Sequence, residues 1–206
     1  MLIEAKKVNF KNILNYPDIE IESEHVTFIC GDSGSGKSTF LKLINGVVSP
    51  LSGNIIIEGK NISDLNTVEL RKEYLLVSQS VYLFDKTIKK NYEEFYRYRD
   101  LPTPEDKAIQ YYLTLCCADF SLDSYCPTMS GGERQRVYIA ICLSFKPKVL
   151  MLDEPTSALD SHTANLLMQN INTFCRNNHI TLIVVSHDIS LADKFADKVI
   201  TLEGSV

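Results

Sequence analysis

The sequence has no tryptophan and no surplus of basic residues: 21 Lys and Arg stand against 26 Asp and Glu in 206 residues, a formal net charge of -5. That balance argues against nucleic acid as a main partner, which would call for a basic patch or stripe. No apolar run approaches the roughly 18 residues a membrane span requires. The N-terminus, Met1-Leu2-Ile3-Glu4-Ala5-Lys6-Lys7, lacks the apolar centre of a secretion signal. The six cysteines (Cys30, Cys116, Cys117, Cys126, Cys142 and Cys175) form no C-x-x-C pair and no zinc spacing. They read as free thiols of a reducing compartment. Internal repeats and low-complexity tracts are absent too. What is present is ordinary: 45% hydrophobic and 23% charged residues, in a chain long enough for one domain with a full core. Composition therefore predicts a soluble, cytosolic, globular protein.

Apolar runs at Val26–Cys30, Asn54–Ile57, Tyr74–Ser78, Val149–Leu152, Thr181–Ser186 and Lys198–Leu202 read as strands. Several have few polar residues, as parallel strands covered on both faces do. Helical patterns lie between some of them, at Lys37–Asn45, Glu133–Phe145, Ser161–Asn177 and Ser190–Phe195. This alternation predicts an α/β fold with a mostly parallel sheet. Residues 86–132 differ, being helical in pattern, rich in Tyr and Phe, and broken by Leu101-Pro102-Thr103-Pro104. The expectation is a single domain over 1–206, with a core of 1–85 and 133–206 and an inserted helical subdomain at about 86–132.

Gly31-Asp32-Ser33-Gly34-Ser35-Gly36-Lys37-Ser38 fits G-x-x-x-x-G-K-[ST] and stands between a predicted strand and a predicted helix. Its glycines let the backbone wrap a phosphate with amide N–H groups pointing inward. The positive end of the following helix adds to that field. Lys37 is placed to reach the β- and γ-phosphates, and Ser38 to hold Mg²⁺. With glycine at about 7% of residues, roughly one chain in a hundred of this length would match by accident; the flanking strand and helix lower that further. The loop predicts binding of a nucleoside triphosphate.

Val149–Leu152 leads into Asp153-Glu154. A hard cation takes oxygen ligands, which suits Asp153 to magnesium at a strand end. A carboxylate one hydrogen bond from a water can accept its proton, which suits Glu154 to a general base. Ser130-Gly131-Gly132 opens a second helix in the same manner as the phosphate loop. One nucleotide does not need two cradles, so the second is expected to face a nucleotide held by another copy of the chain.

At this point the motifs resemble a known family. Met129-Ser130-Gly131-Gly132-Glu133-Arg134-Gln135-Arg136 is similar to the signature of ATP-binding cassette (ABC) ATPases. Asp153-Glu154-Pro155-Thr156-Ser157-Ala158-Leu159-Asp160 resembles their Walker B strand and D-loop, Gln79 their Q-loop, and His187 their switch histidine. The motifs stand in family order along nearly the whole chain. The resemblance implies a P-loop NTPase (RecA-like) core with an N-terminal β subdomain, and a head-to-tail homodimer with ATP at its seam. It implies that Gly31, Asp32, Ser33, Gly34, Ser35, Gly36, Lys37, Ser38 and Thr39 bind nucleotide in one subunit while Ser130, Gly131 and Gly132 of the other close over it. Mg²⁺ falls to Ser38, Gln79 and Asp153, catalysis to Glu154, His187 and Gln79, and the crossing of the seam to Asp160.

Three features depart from the family pattern. The aromatic that stacks on adenine is not clearly placed; Phe10 is the first choice and Tyr16 the second. Glu24-His25 replaces a common Gly-Glu pair, and the chain ends at Gly204-Ser205-Val206 with no C-terminal regulatory domain expected. With no membrane span, transport would require a separate permease, holding the protein on the cytoplasmic face of the cell membrane. Leu83-Phe84-Asp85-Lys86-Thr87-Ile88 resembles the exporter branch. The stretch from signature to end resembles the ATPases of small two-component iron exporters. The alternative is a soluble ABC ATPase driving protein or iron–sulfur cluster assembly. A small-molecule kinase would leave the Ser130–Gly132 turn without a purpose. Chromosome-structure ATPases need a coiled coil for which Gln79 to Ser130 leaves no room.

Overall fold

The computed structural model describes residues 1–203, and the expectation about the chain's end lies outside them. The chain runs β1 (Ile3–Phe10), β2 (Leu14–Asn15), β3 (Ile19–Ile21), β4 (Val26–Cys30), α1 (Lys37–Ile44), β5 (Ser52–Ile57) and β6 (Lys60–Asn61). Next come α2 (Thr67–Glu73), β7 (Tyr74–Val77), α3 (Ile88–Arg97), α4 (Asp106–Leu115) and α5 (Gly131–Ser144). It finishes with β8 (Val149–Asp153), α6 (Ser161–Asn177), β9 (Thr181–Val185), α7 (Ile189–Phe195) and β10 (Lys198–Thr201).

Five strands form a parallel sheet in the order β10-β4-β9-β8-β7. Every residue of β4, β8 and β9 is buried, because successive side chains point to opposite faces and both faces are covered. Phe28, Leu150, Leu152, Leu182 and Val184 face a core built with α5, α6 and α7. Ile29, Met151, Ile183 and Val185 face the other way, onto Phe40, Leu41 and Ile44 of α1 and onto a second sheet. Burial of such side chains contributes roughly 1.5–3 kcal/mol each, which fixes the strand register and with it the loops at the carboxyl ends. The second sheet is antiparallel: β1 pairs with β2, β3 and β5, and β5 with β6.

Between β7 and β8 the chain is helical. Tyr92 and Tyr96 of α3 are buried, and the Tyr96 ring lies 4.6 Å from Phe145 and the Phe95 ring 5.5 Å from Tyr138. Asn91, also buried, exchanges bonds with Phe84: it accepts from the Phe84 N–H at 2.8 Å and donates to the Phe84 carbonyl at 3.1 Å. The loop leaving β7 is thereby tied to α3. Tyr98 and Tyr111 are exposed.

Candidate functional site

β4 is followed by the glycine loop, whose last glycine, Gly36, caps α1 with φ 92 and ψ 8. A left-handed residue at that point turns the chain from strand to helix, and only glycine adopts it without steric cost. Lys37, largely buried, turns its ammonium back to donate to the Gly31 and Asp32 carbonyls at 2.7 and 2.8 Å. The loop thus surrounds its own cation, and a phosphate entering it finds that charge at the centre. Ser35 is buried and its Oγ has no hydrogen-bond partner. An orphaned hydroxyl beneath a loop of backbone amides suits a missing anion.

β8 runs beside this loop. Ser38 Oγ donates to Asp153 Oδ1 at 2.8 Å, a pair of hard oxygen donors of the kind that would suit a magnesium ion. Gln135 of α5 donates to the Asp153 carbonyl at 3.4 Å. The next residue, Glu154, has φ 51, and its N–H donates to the Val185 carbonyl of β9 at 3.0 Å. His187, just beyond β9, meets Glu154 with Nδ1 2.8 Å from Oε2. An ionised carboxylate only accepts, so Nδ1 carries the proton in that contact. Asp188 caps α7 by accepting from Ser190 and Leu191 N–H, which fixes the turn carrying His187.

These groups open onto one cleft of about 500 Å³, lined by Ile13, Leu14, Ser33, Gly34, Gly36, Lys37, Ser38, Thr39, Gln79, Glu154, Ser157 and His187. The volume is within the usual range for a small-molecule site. Residues from five separated stretches of sequence therefore converge on it. Asp32 stands exposed at the loop.

Ser130, Gly131 and Gly132 do not line this cleft. They form the start of α5, two residues earlier than the periodicity predicts. The reason is a capping box: Ser130 Oγ accepts from Glu133 N–H at 3.3 Å, and Glu133 Oε2 accepts from Ser130 N–H at 2.7 Å. Asp160 is likewise engaged within its own chain, capping α6 through bonds from His162 and Thr163 N–H at 3.0 Å.

The two adenine-stacking candidates sit differently in the structure. Tyr16 is buried with its hydroxyl donating to the Gly36 carbonyl at 2.9 Å, so its ring offers no face to a base. Phe10 packs against the apolar core at the end of β1 and does not line the cleft. Ile13, at the tip of the turn between β1 and β2, and Leu14 line the cleft on that side; Ile13 is 65% exposed. Neither residue is aromatic, so residue type alone does not single them out. The signal was one exposed aliphatic residue following Asn12 in a tight turn. Ser157 was also missed as part of the wall.

The sequence profile of the ABC transporter family matches residues 14–157. The chain is similar to the energy-coupling factor transporter ATP-binding protein EcfA2 of Clostridium perfringens, with 37% identity over 97% of this chain and 73% of that protein. It is similar to the probable iron export ATP-binding protein FetA of Escherichia coli, with 33% identity over 93% of this chain and 84% of that protein. Among solved structures it resembles a dimeric ATP-binding cassette in a post-hydrolysis state bound to ADP and Pi. The TM-score there is 0.85 at 27% identity, over 100% of this chain and 97% of the other.

Proposed function

Because the chain belongs to the ABC transporter family, as an ATP-binding subunit that hydrolyses ATP to energise a permease, we propose that two copies associate head to tail and share two ATP sites. ABC cassettes form dimers and pair with membrane permeases; the finer assignment concerns this chain's own residues. Residues Gly31–Thr39 bind the triphosphate, with Lys37 on the β- and γ-phosphates. Ser38, Asp153 and Gln79 hold Mg²⁺, which when bound neutralises phosphate charge and orients the oxygens. Glu154 accepts a proton from the attacking water, and His187 steadies both Glu154 and the γ-phosphate end of the cleft. The base rests on Ile13 and Leu14. Ser130, Gly131 and Gly132 of the second copy close over the γ-phosphate, and Asp160 stands at the seam. Residues of about 86–132 move as a helical unit against the core.

No helix among the described residues is long and apolar enough to cross a membrane; in this reading the permease is a separate subunit that holds this one on the cytoplasmic face. The exporter-like Leu83–Ile88 phrase favours outward transport. Relatives include both an energy-coupling factor protein and a probable iron exporter, and cargo selection falls to the membrane subunit. The carrying observation is that Lys37, Ser38, Glu154 and His187 line one cleft, with Asp153 bonded to Ser38 beside it, while the Ser130 turn lies outside.

Steady-state phosphate release tests the assignment. Lys37→Ala should lose nucleotide binding. Glu154→Gln should keep ATP affinity and lose at least about a hundred-fold in kcat, the loss expected when a general base is removed. An unchanged kcat in Glu154→Gln would remove that residue from the role of base.

A further inference from the structure

We propose that Tyr16 is a positioning residue for the phosphate site: it latches the β1–β2 turn to Gly36 and so aims the Lys37 backbone N–H into the cradle. The inference rests on the reading of the cleft as an ATP site and adds a residue to its machinery.

The geometry begins with the Gly36 carbonyl. It accepts two hydrogen bonds, from Phe40 N–H at 2.8 Å as the first turn of α1 and from the Tyr16 hydroxyl at 2.9 Å. An amide oxygen has lone pairs for both. The peptide linking Gly36 to Lys37 is planar and trans, so its C=O and N–H point in opposite directions. Fixing the oxygen toward the helix therefore fixes the Lys37 N–H toward the open end of the loop, where phosphate oxygens are bound. α1 has no side-chain cap of its own at this end, so Tyr16 supplies the outside constraint.

Tyr16 is itself held firmly. Its N–H donates to the Val8 carbonyl of β1 at 2.9 Å, and its ring centroid lies 5.3 Å from that of Phe40. Burial pushes its hydroxyl up to about 12, against a smaller opposing effect of Thr39, so it remains a donor throughout the physiological range. The contact leaves no slack. A methyl group added at Gly36 would stand 2.7 Å from the Tyr16 oxygen and 2.8 Å from Leu14 Cδ1. The turn carrying Ile13 and the loop carrying Lys37 thus behave as one piece, joined at a single hydroxyl and a single glycine.

Tyr16→Phe removes only the hydroxyl and keeps the ring on Phe40. Equilibrium binding of Mg-ATP, Mg-ADP and Mg-GTP to the whole chain should weaken by one common factor of about five, the worth of one hydrogen bond. The common factor is expected because the loss falls on the phosphate side that all three share. Thermal unfolding and Lys37→Ala are run alongside. If Kd is unchanged while Tm falls, Tyr16 is merely structural and the proposal is overturned. If ATP weakens and GTP does not, Tyr16 reads the base, which also overturns it. If the wild type binds Mg-ATP no better than Lys37→Ala does, the ATP reading of the cleft fails first.

Discussion

Glu154 concentrates the strain of this site in one residue. A side chain at φ 51 lies in the left-handed region, which costs a non-glycine residue roughly 1–2 kcal/mol. The strain is imposed from both sides: β8 ends one residue earlier, and the Glu154 N–H is bonded to Val185 of β9. The twist brings the carboxylate over to His187 rather than onward along the strand. Two substitutions separate strain from chemistry. Glu154→Ala and Glu154→Gly both remove the carboxylate and should both abolish hydrolysis, but only glycine relieves the backbone. Glu154→Gly should therefore be more stable than Glu154→Ala by about 1 kcal/mol, a Tm difference of about 2–4 °C in a chain of this size. Equal melting temperatures would mean that the conformation carries no strain. Gly31 answers a different demand. Its φ is 146, and an added Cβ would lie 2.2 Å from the Leu202 carbonyl, so the motif's first glycine also makes room for the strand beside it.

At the scale of elements, caps place the functional turns. Asp188 ends the stretch that carries His187 and starts α7, accepting from Ser190 Oγ at 2.6 Å and from Ser190 N–H at 2.9 Å. The Ser190 hydroxyl bond, then the backbone N–H groups and His187, hold its carboxyl below the ordinary 3.8, against a smaller opposing effect of burial. In the unfolded chain it protonates at the ordinary value, so acid favours unfolding. The cap's contribution is complete above about pH 3.8 and disappears as pH falls through the lower folded value. Asn caps equally well without titrating. Asp188→Asn should thus show a shallower fall of Tm between roughly pH 5 and 3 than the wild type, and parallel curves would refute the argument. The same scale explains what could be read in advance. β4, β8 and β9 were legible because both faces are buried and apolar residues run unbroken. β1 was not: its burial alternation is interrupted where Lys7 takes φ 51 and the pairing with β5 shifts between Lys6 and Asn9. Short, charged Thr-Val-Glu-Leu-Arg-Lys-Glu buries only Leu70, too little for a helical period to show. The phosphate loop, Asp153, Glu154 and His187 were legible as chemistry, since residue type and spacing carry the signal. The places of Ile13 and Tyr16 were not, because they come from a turn folding against Gly36.

At the scale of the molecule, the cleft holds phosphate-binding and carboxylate groups but none of Ser130, Gly131 or Gly132. A two-fold related copy would place that turn over the cleft of its partner and receive the reciprocal contact, as closed isologous interfaces do. Gly131 is exposed, and a Cβ added there meets nothing within 4 Å. Gly131→Asp should therefore fold normally while setting a carboxylate against the partner's γ-phosphate. Alone, that variant should bind Mg-ATP yet remain a monomer of 23.3 kDa by light scattering and hydrolyse none. Lys37→Ala alone should also be inactive, for want of a phosphate site. Mixed, they form a pair in which the intact loop of the Gly131→Asp chain faces the intact turn of the Lys37→Ala chain. One of that pair's two sites is then whole. Since neither variant pairs with itself, every dimer formed is mixed and holds one whole site of two, so the recovered rate should approach about half of the wild type if each site works independently. A mixture no more active than the sum of its parts would show that the two half-sites never meet across subunits, and the dimer assignment would fall with it.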